Sequence, residues 1–266
     1  MKQRRHKRKR IFLLLLLLVI ASSVAGVLVW HNRPIKLEVP KVITDVTKPI
    51  TAPPVATPPA PSFNKNQFSL TDPTSLWVIV NKQRQLPDGY APGDLVTPDV
   101  TLRLAAGNSE MKMRQEPASA LKALIAGANA AGYKLLLASG YRSQASQKAL
   151  HDSYVTRDGI ASADASSARA GFSEHQTGLA VDVGRTDHKC EVDACFADTP
   201  EAKWLATNAY QYGFIVRYQQ GKQPITGYVY EPWHLRYVGK DLAKAVYDSG
   251  QTLEEFFGLP AAPDYK

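Results

Sequence analysis

The order of hydrophobic periodicities along the chain predicts an α+β domain. Helical spacing dominates the earlier part of the domain, while short β-rich runs gather later, around its imidazoles and carboxylates. Neither an internal repeat nor a regular βαβ alternation joins the two, which disfavours a parallel doubly wound sheet.

Taken in order, Leu76-Trp77-Val78-Ile79-Val80 reads as a short strand, ended by Asn81 and followed by a Pro87-Asp88-Gly89 turn. Glu116 to Ala131 is a helix, with Leu121, Leu124 and Ile125 on one stripe and Gly132 as its stop. Lys134 to Ala138 is a strand, and Ser143 caps a second helix that runs to Tyr154. Leu179 to Val183 is another strand. Pro200 to Tyr212 is helical, with Trp204 and Leu205 inward and Gly213 ending it. Val229 to Val238 alternates as a strand, and Lys240 to Asp248 forms a closing helix before Gly250.

Composition divides the chain before the domain begins. The net charge of +8 falls to +1 once seven basic residues within positions 1–10 are set aside, so a nucleic-acid face has little support. Residues 11–30 carry no charge, and at a helical rise of about 1.5 Å per residue they match a hydrocarbon core of about 30 Å. With basic residues on the cytoplasmic side, the bulk of the chain is expected outside the cell membrane, as a single-pass protein. Ser23-Val24-Ala25 offers a cleavage site that would release a secreted form, but the apolar run continues to Trp30 and favours an uncleaved anchor. No cysteine follows it for lipid attachment. Residues 31–62 contain eight prolines and read as a semi-rigid spacer of about 3.1 Å per residue. The domain occupies residues 63–266 and is expected to be a monomer.

Chemistry concentrates in two stretches. The first is Ser173-Glu174-His175-Gln176-Thr177-Gly178-Leu179-Ala180-Val181-Asp182, the second Glu231-Pro232-Trp233-His234. A hydrolytic zinc takes three protein ligands and keeps one position open. His175, Asp182 and His234 supply such a set, leaving Glu231 as the base. In a strand Asp182 shares a face with Ala180, away from Leu179, Val181 and Val183, so its charge demands either a metal or a buried arginine. Pro232 inside a strand implies an edge or a bulge. A bulge could aim Glu231 and His234 into one cleft; an ordinary edge would leave Glu231 in solvent. Arg142, between a strand and a helix in Ser139-Gly140-Tyr141-Arg142-Ser143, is a candidate for carboxylate or oxyanion contact, or a surface residue at a helix start. His151 and His188 lack comparable context, and His6 and His31 flank the apolar segment. Cys190 and Cys195, in a polar insertion from Arg185 to Thr199, are expected to form a small local disulfide outside the cytoplasm; free thiols are the alternative.

These residues carry a family likeness. Ser139 to Ser143 with Gln147, Ser173 to Asp182, Trp204 to Tyr210 and Gly227 to Gly239 resemble, in order, the VanY-type zinc D-alanyl-D-alanine carboxypeptidases. The resemblance implies a Hedgehog/DD-peptidase-like α+β fold whose central antiparallel sheet carries the metal, flanked by helices. It implies zinc on His175, Asp182 and His234, Glu231 as catalytic base, and substrate or oxyanion contact by Arg142. It further implies substrate contacts by Gln147, Ser173 and Tyr218, with peptidoglycan stem peptides as the substrate class. The departures are the cysteine-bearing insertion and Gln219, where the family pattern suggests proline. Three other readings compete. A serine peptidase built on Ser119-Ala120-Leu121-Lys122 lacks the Ser-Asp-Asn and Lys-Thr-Gly partners. A non-catalytic wall-binding module would have no need of Glu231. An L,D-carboxypeptidase or an endopeptidase on the same peptides shares the chemistry and differs only in the shape of the cleft.

Overall fold

The computed structural model describes residues 63–266. The basic tail, apolar segment and proline-rich spacer expected from the sequence lie outside the described residues. No helix of the described residues is long and apolar enough to cross a membrane.

Two antiparallel sheets are present among these residues. A two-stranded ribbon pairs β1 (Leu95–Val96) with β2 (Met113–Arg114). The main sheet contains β3 (Leu135–Ser139), β4 (Ala180–Arg185), β5 (Phe214–Val216) and β6 (His234–Tyr237) in the order β3-β4-β6-β5. Every residue of β3 is buried, as its unbroken apolar run requires of a strand covered on both faces. Its free edge is covered as well: Leu137 donates to the Thr101 carbonyl and accepts from the Arg103 amide.

The helix Gln115–Ala130 lays Leu121, Leu124 and Ile125 on the sheet, against Leu135, Leu137, Val181, Val183 and Leu235. Trp77, Ile79, Ile215, Val238, Leu242, Val246 and Phe256 form a second core cluster, built in part by the helices Lys240–Ser249 and Leu253–Phe257. Helix Gln144–Asp158 begins where expected, because the Ser143 hydroxyl accepts from the Ser146 amide.

Three expectations change. Trp77 to Val80 are buried and Leu76 half-buried, but the run joins no sheet; the carbonyls of Leu76 and Val78 accept from the Arg236 guanidinium (3.1 and 2.7 Å) instead of from a neighbouring strand. The helix from Pro200 ends at Asn208, and residues Ala209–Tyr212 tighten into a 3-10 turn before Gly213. The strand expected over Val229 to Val238 shrinks to β6, which lies inside the sheet between β4 and β5. Pro232 therefore sits in the turn before the strand, closed by the His234 amide donating to the Glu231 carbonyl (3.1 Å). There its missing donor costs no ladder bond.

One glycine is required by contact. A Cβ on Gly140 would collide with the Lys112 carbonyl, and Gly140 itself bonds to Glu110. Gly140→Ala is expected to destabilise the domain by about 1–3 kcal/mol through overpacking. Urea unfolding checks this, and a midpoint equal to that of the wild type would contradict the contact.

Candidate active site

Strand register brings the first pair of site residues together. Asp182 lies opposite His234 across β4 and β6. The cross-strand bonds Val183 amide to Trp233 carbonyl and Tyr237 amide to Leu179 carbonyl mark the pairs around it as hydrogen-bonded. Asp182 and His234 thus occupy a non-hydrogen-bonded position, where facing side chains approach most closely. On the other side, a register shift between Leu137 and Ser139 places Ser139 opposite Asp182. This irregularity carries the backbone outward into the Gly140–Arg142 loop.

His175 arrives from a 3-10 turn, Glu174–Thr177, which ends on Gly178 in the left-handed region (φ 67°). The turn and the Gly140 loop are tied by two bonds: the Arg142 amide donates to the His175 carbonyl, and His175 Nδ1 donates to the Gly140 carbonyl at 2.7 Å. A carbonyl can only accept, so that proton sits on Nδ1 and leaves Nε2 free. His175 Nε2 is 3.3 Å from Asp182 Oδ2, and His234 Nδ1 is 3.1 Å from Asp182 Oδ1. One ligand atom from each of the three residues lies within 4.8 Å of the others, all buried. Two imidazole nitrogens and a carboxylate oxygen converging on one point are a donor set suited to zinc. The two rings meet almost edge to face (84°), so their lone pairs come from different directions.

The electrostatics of these groups suit a cation site. Burial lowers the His175 pKa, keeping it neutral as a ligand must be. For Asp182, burial opposes ionisation, but the two imidazoles outweigh it and hold the carboxyl well below the usual range. Burial works against charge on His234 too, yet its bonds to Asp182 and Glu174 push it up to about 9. Glu231 Oε2 stands 3.9 Å from His234 Nδ1, and burial pushes its carboxyl up to about 8, near the range useful for proton transfer.

The remaining candidates line the same cleft, of about 280 Å³: Arg142, Gln147, Ser173 and Tyr218, together with Trp233. Arg142 is positioned by its Nη1 donating to Gln147 Oε1 (3.0 Å) and its Nη2 to Ser139 Oγ (2.8 Å). Gln147 in turn donates to Ser167 Oγ and the Ala168 carbonyl, which fixes the amide that braces Arg142. Burial raises the Tyr218 phenol well above its ordinary pKa and keeps it a neutral donor. Cys190 and Cys195 are bonded, and their loop contributes Val192, Asp193 and Ala194 to one wall. Glu231 is buried, not in solvent as an edge strand would leave it. Ser119 is on an exposed helix position donating to the Gln115 carbonyl, and Lys122 pairs with Asp99, so no serine dyad forms.

The buried-arginine alternative for Asp182 fails in an informative way. Buried arginines exist, but Arg217 and Arg236 pair with Glu174, which sequence reasoning had given no role. Arg236, a charge among apolar residues in a central strand, was the available signal.

A metal triad with an adjacent carboxylate and a guanidinium defines a metallohydrolase site. Residues 110–240 match the family model VanY, D-alanyl-D-alanine carboxypeptidase. The chain is 44% identical over 189 residues to YodJ of Bacillus subtilis (strain 168), which bears a carboxypeptidase name, covering 71% of this chain and 69% of that one. Among solved structures it resembles the LD-carboxypeptidase LdcB (45% identity, TM-score 0.66, 70% of this chain and 87% of that one). It also resembles a variant of the vancomycin resistance D,D-pentapeptidase VanY in complex with Zn(II) (32%, TM-score 0.56, 69% and 98%). The chain belongs to the VanY D-alanyl-D-alanine carboxypeptidase family, and its α+β architecture is the Hedgehog/DD-peptidase-like fold.

The bonds to Asp182 and Glu174 raise the His234 pKa to about 9, so a metal bound there competes with a proton. Apparent zinc affinity, measured by chelator competition, should fall about tenfold for each pH unit below that value. An affinity unchanged from about pH 8 to about pH 6 would contradict the raised pKa of His234.

Proposed function

We propose that this protein is a zinc-dependent carboxypeptidase that removes the terminal D-alanine from peptidoglycan stem peptides, cleaving the D-alanyl-D-alanine bond. The observation that carries this reading is the convergence of His175, Asp182 and His234 within 4.8 Å, with Glu231 and Arg142 on the same cleft. When bound, zinc supplies Lewis acidity toward the scissile carbonyl and lowers the pKa of the attacking water. Glu231 takes the proton that water loses as the new C–O bond forms. It then gives that proton to the departing D-alanine nitrogen as the C–N bond breaks. Arg142, braced by Ser139 and Gln147, presents a planar fork to the substrate's terminal carboxylate. Tyr218 and Ser173 add hydroxyl groups along the cleft for peptide contacts.

A second reading, cleavage of the L,D bond in a tetrapeptide, is favoured by the 45% identity to LdcB. Both readings place a terminal D-alanine carboxylate at Arg142 and differ in the residue on the acyl side. The same proposal puts the domain outside the membrane, tethered by residues 11–30 across a spacer of residues 31–62.

Incubating the purified chain with defined penta- and tetrapeptides, with and without a chelator, separates these readings. Release of D-alanine from the pentapeptide that stops with chelator supports the first; release from the tetrapeptide alone selects the second. Glu231→Gln is expected to retain zinc while turnover falls by at least about 10²-fold. Retained turnover would remove Glu231 as the base. Arg142→Ala should lower kcat/KM strongly, and an unchanged value would take it out of the site.

A further inference from the structure

Glu174 lies between two residues of the cleft, Ser173 and the ligand His175, yet the proposed reaction gives it nothing to do. Its side chain is fully buried, as are those of Arg217 and Arg236. Glu174 Oε1 accepts from Arg217 Nε and from Arg236 Nη1, both at 2.8 Å. Its other oxygen, Oε2, faces His234 Nε2 at 3.4 Å. Arg217 continues outward, donating through both terminal nitrogens to Glu254 (2.9 and 2.6 Å), which also accepts from Asn81 Nδ2 (2.9 Å). Arg236 is pinned in turn by the Leu76 and Val78 carbonyls.

Burying such charges is expensive, and a well-packed apolar core would hold these segments together as well or better. The arrangement has a geometric consequence that an apolar core would lack. With two arginines on one oxygen, the Glu174 carboxylate has no freedom to rotate, and its second oxygen is a fixed acceptor beneath His234. The nitrogen that a histidine offers to a metal is set by the bond its other nitrogen makes. His175 receives that bond from the backbone of Gly140; His234 has Glu174.

We propose that Glu174, braced by Arg217 and Arg236, is a positioning residue that fixes His234 with its proton on Nε2 and its Nδ1 lone pair on the metal. This rests on the zinc reading above. The Glu174 side chain has no exposed surface to offer a substrate, so it acts through His234. A purely structural role for the same network would be felt in stability and not in the metal.

The test uses the full chain. Glu174→Gln keeps the shape and an acceptor oxygen but removes the charge, and should weaken zinc affinity about 10- to 100-fold by chelator competition. At saturating zinc its kcat should fall with KM little changed, and Glu174→Asp should recover part of the affinity. Val246→Ala, in the second core cluster and outside this network, should lower the melting temperature and leave zinc affinity unchanged. Wild-type zinc affinity in folded Glu174→Gln would overturn the proposal. Should that variant not fold, long-range proton–nitrogen NMR on the zinc-loaded wild type decides: a protonated Nε2 and metal-bound Nδ1 on His234 support it, and coordination through Nε2 overturns it. A wild type that binds no zinc sinks the functional reading and this inference together, whereas normal zinc binding by Glu174→Gln sinks the inference alone.

Discussion

Asp182 and His234 face each other across two adjacent strands, at the register position where side chains stand closest. Nearly everything else in the domain serves to keep that pair in place and bring His175 to it. The strands are short, but they lie inside a sheet whose surroundings are packed with leucine, valine and aromatic side chains. A slip of one residue would turn Asp182 toward the opposite face. The core therefore fixes the register, and the register fixes the metal geometry. The third ligand needs a different device: a 3-10 turn closed by left-handed Gly178, cross-bonded to the Gly140 loop.

The site also explains an unusual concentration of buried charge. Asp182, Glu231, Glu174, Arg217 and Arg236 are all removed from solvent within one small region. Two kinds of compensation operate. Glu174 and Glu254 are satisfied by arginines through short bonds, so burial does not neutralise them, and both carboxyls lie below their ordinary range. Glu231 has no such partner close by, and burial lifts it toward neutrality. Carboxylates of identical chemistry are thus separated by environment into fixed anions and one with a raised pKa, the property the proposed base requires.

Much of this was legible in the sequence. Asp182 stands out because a charged side chain in an apolar run needs a reason, while the parts given to the two histidines, Glu231 and Arg142 rest chiefly on the resemblance of the two motifs to the VanY-type enzymes. The long helix Gln115–Ala130 was visible from its stripe, and Ser143 announced the next. What was not legible depends on partners far away in the chain. Leu76 to Val80 has strand-like residues, but its carbonyls are claimed by Arg236, about 160 positions on. β5 and the helix Leu253–Phe257 are too short to show a period. Pro232 suggested an edge or a bulge and proved to be a turn that begins an interior strand. The role of Glu174 is invisible without knowing that Arg217 and Arg236 converge on it.

The central claim is that one ion is gripped by two imidazoles and one aspartate. A crystal of the zinc-loaded protein, measured at the zinc absorption edge, tests it most directly. The account predicts a single anomalous peak about 2.0–2.2 Å from His175 Nε2, His234 Nδ1 and an Asp182 carboxylate oxygen. A map with no peak at that point, or with zinc held by other residues, would contradict it.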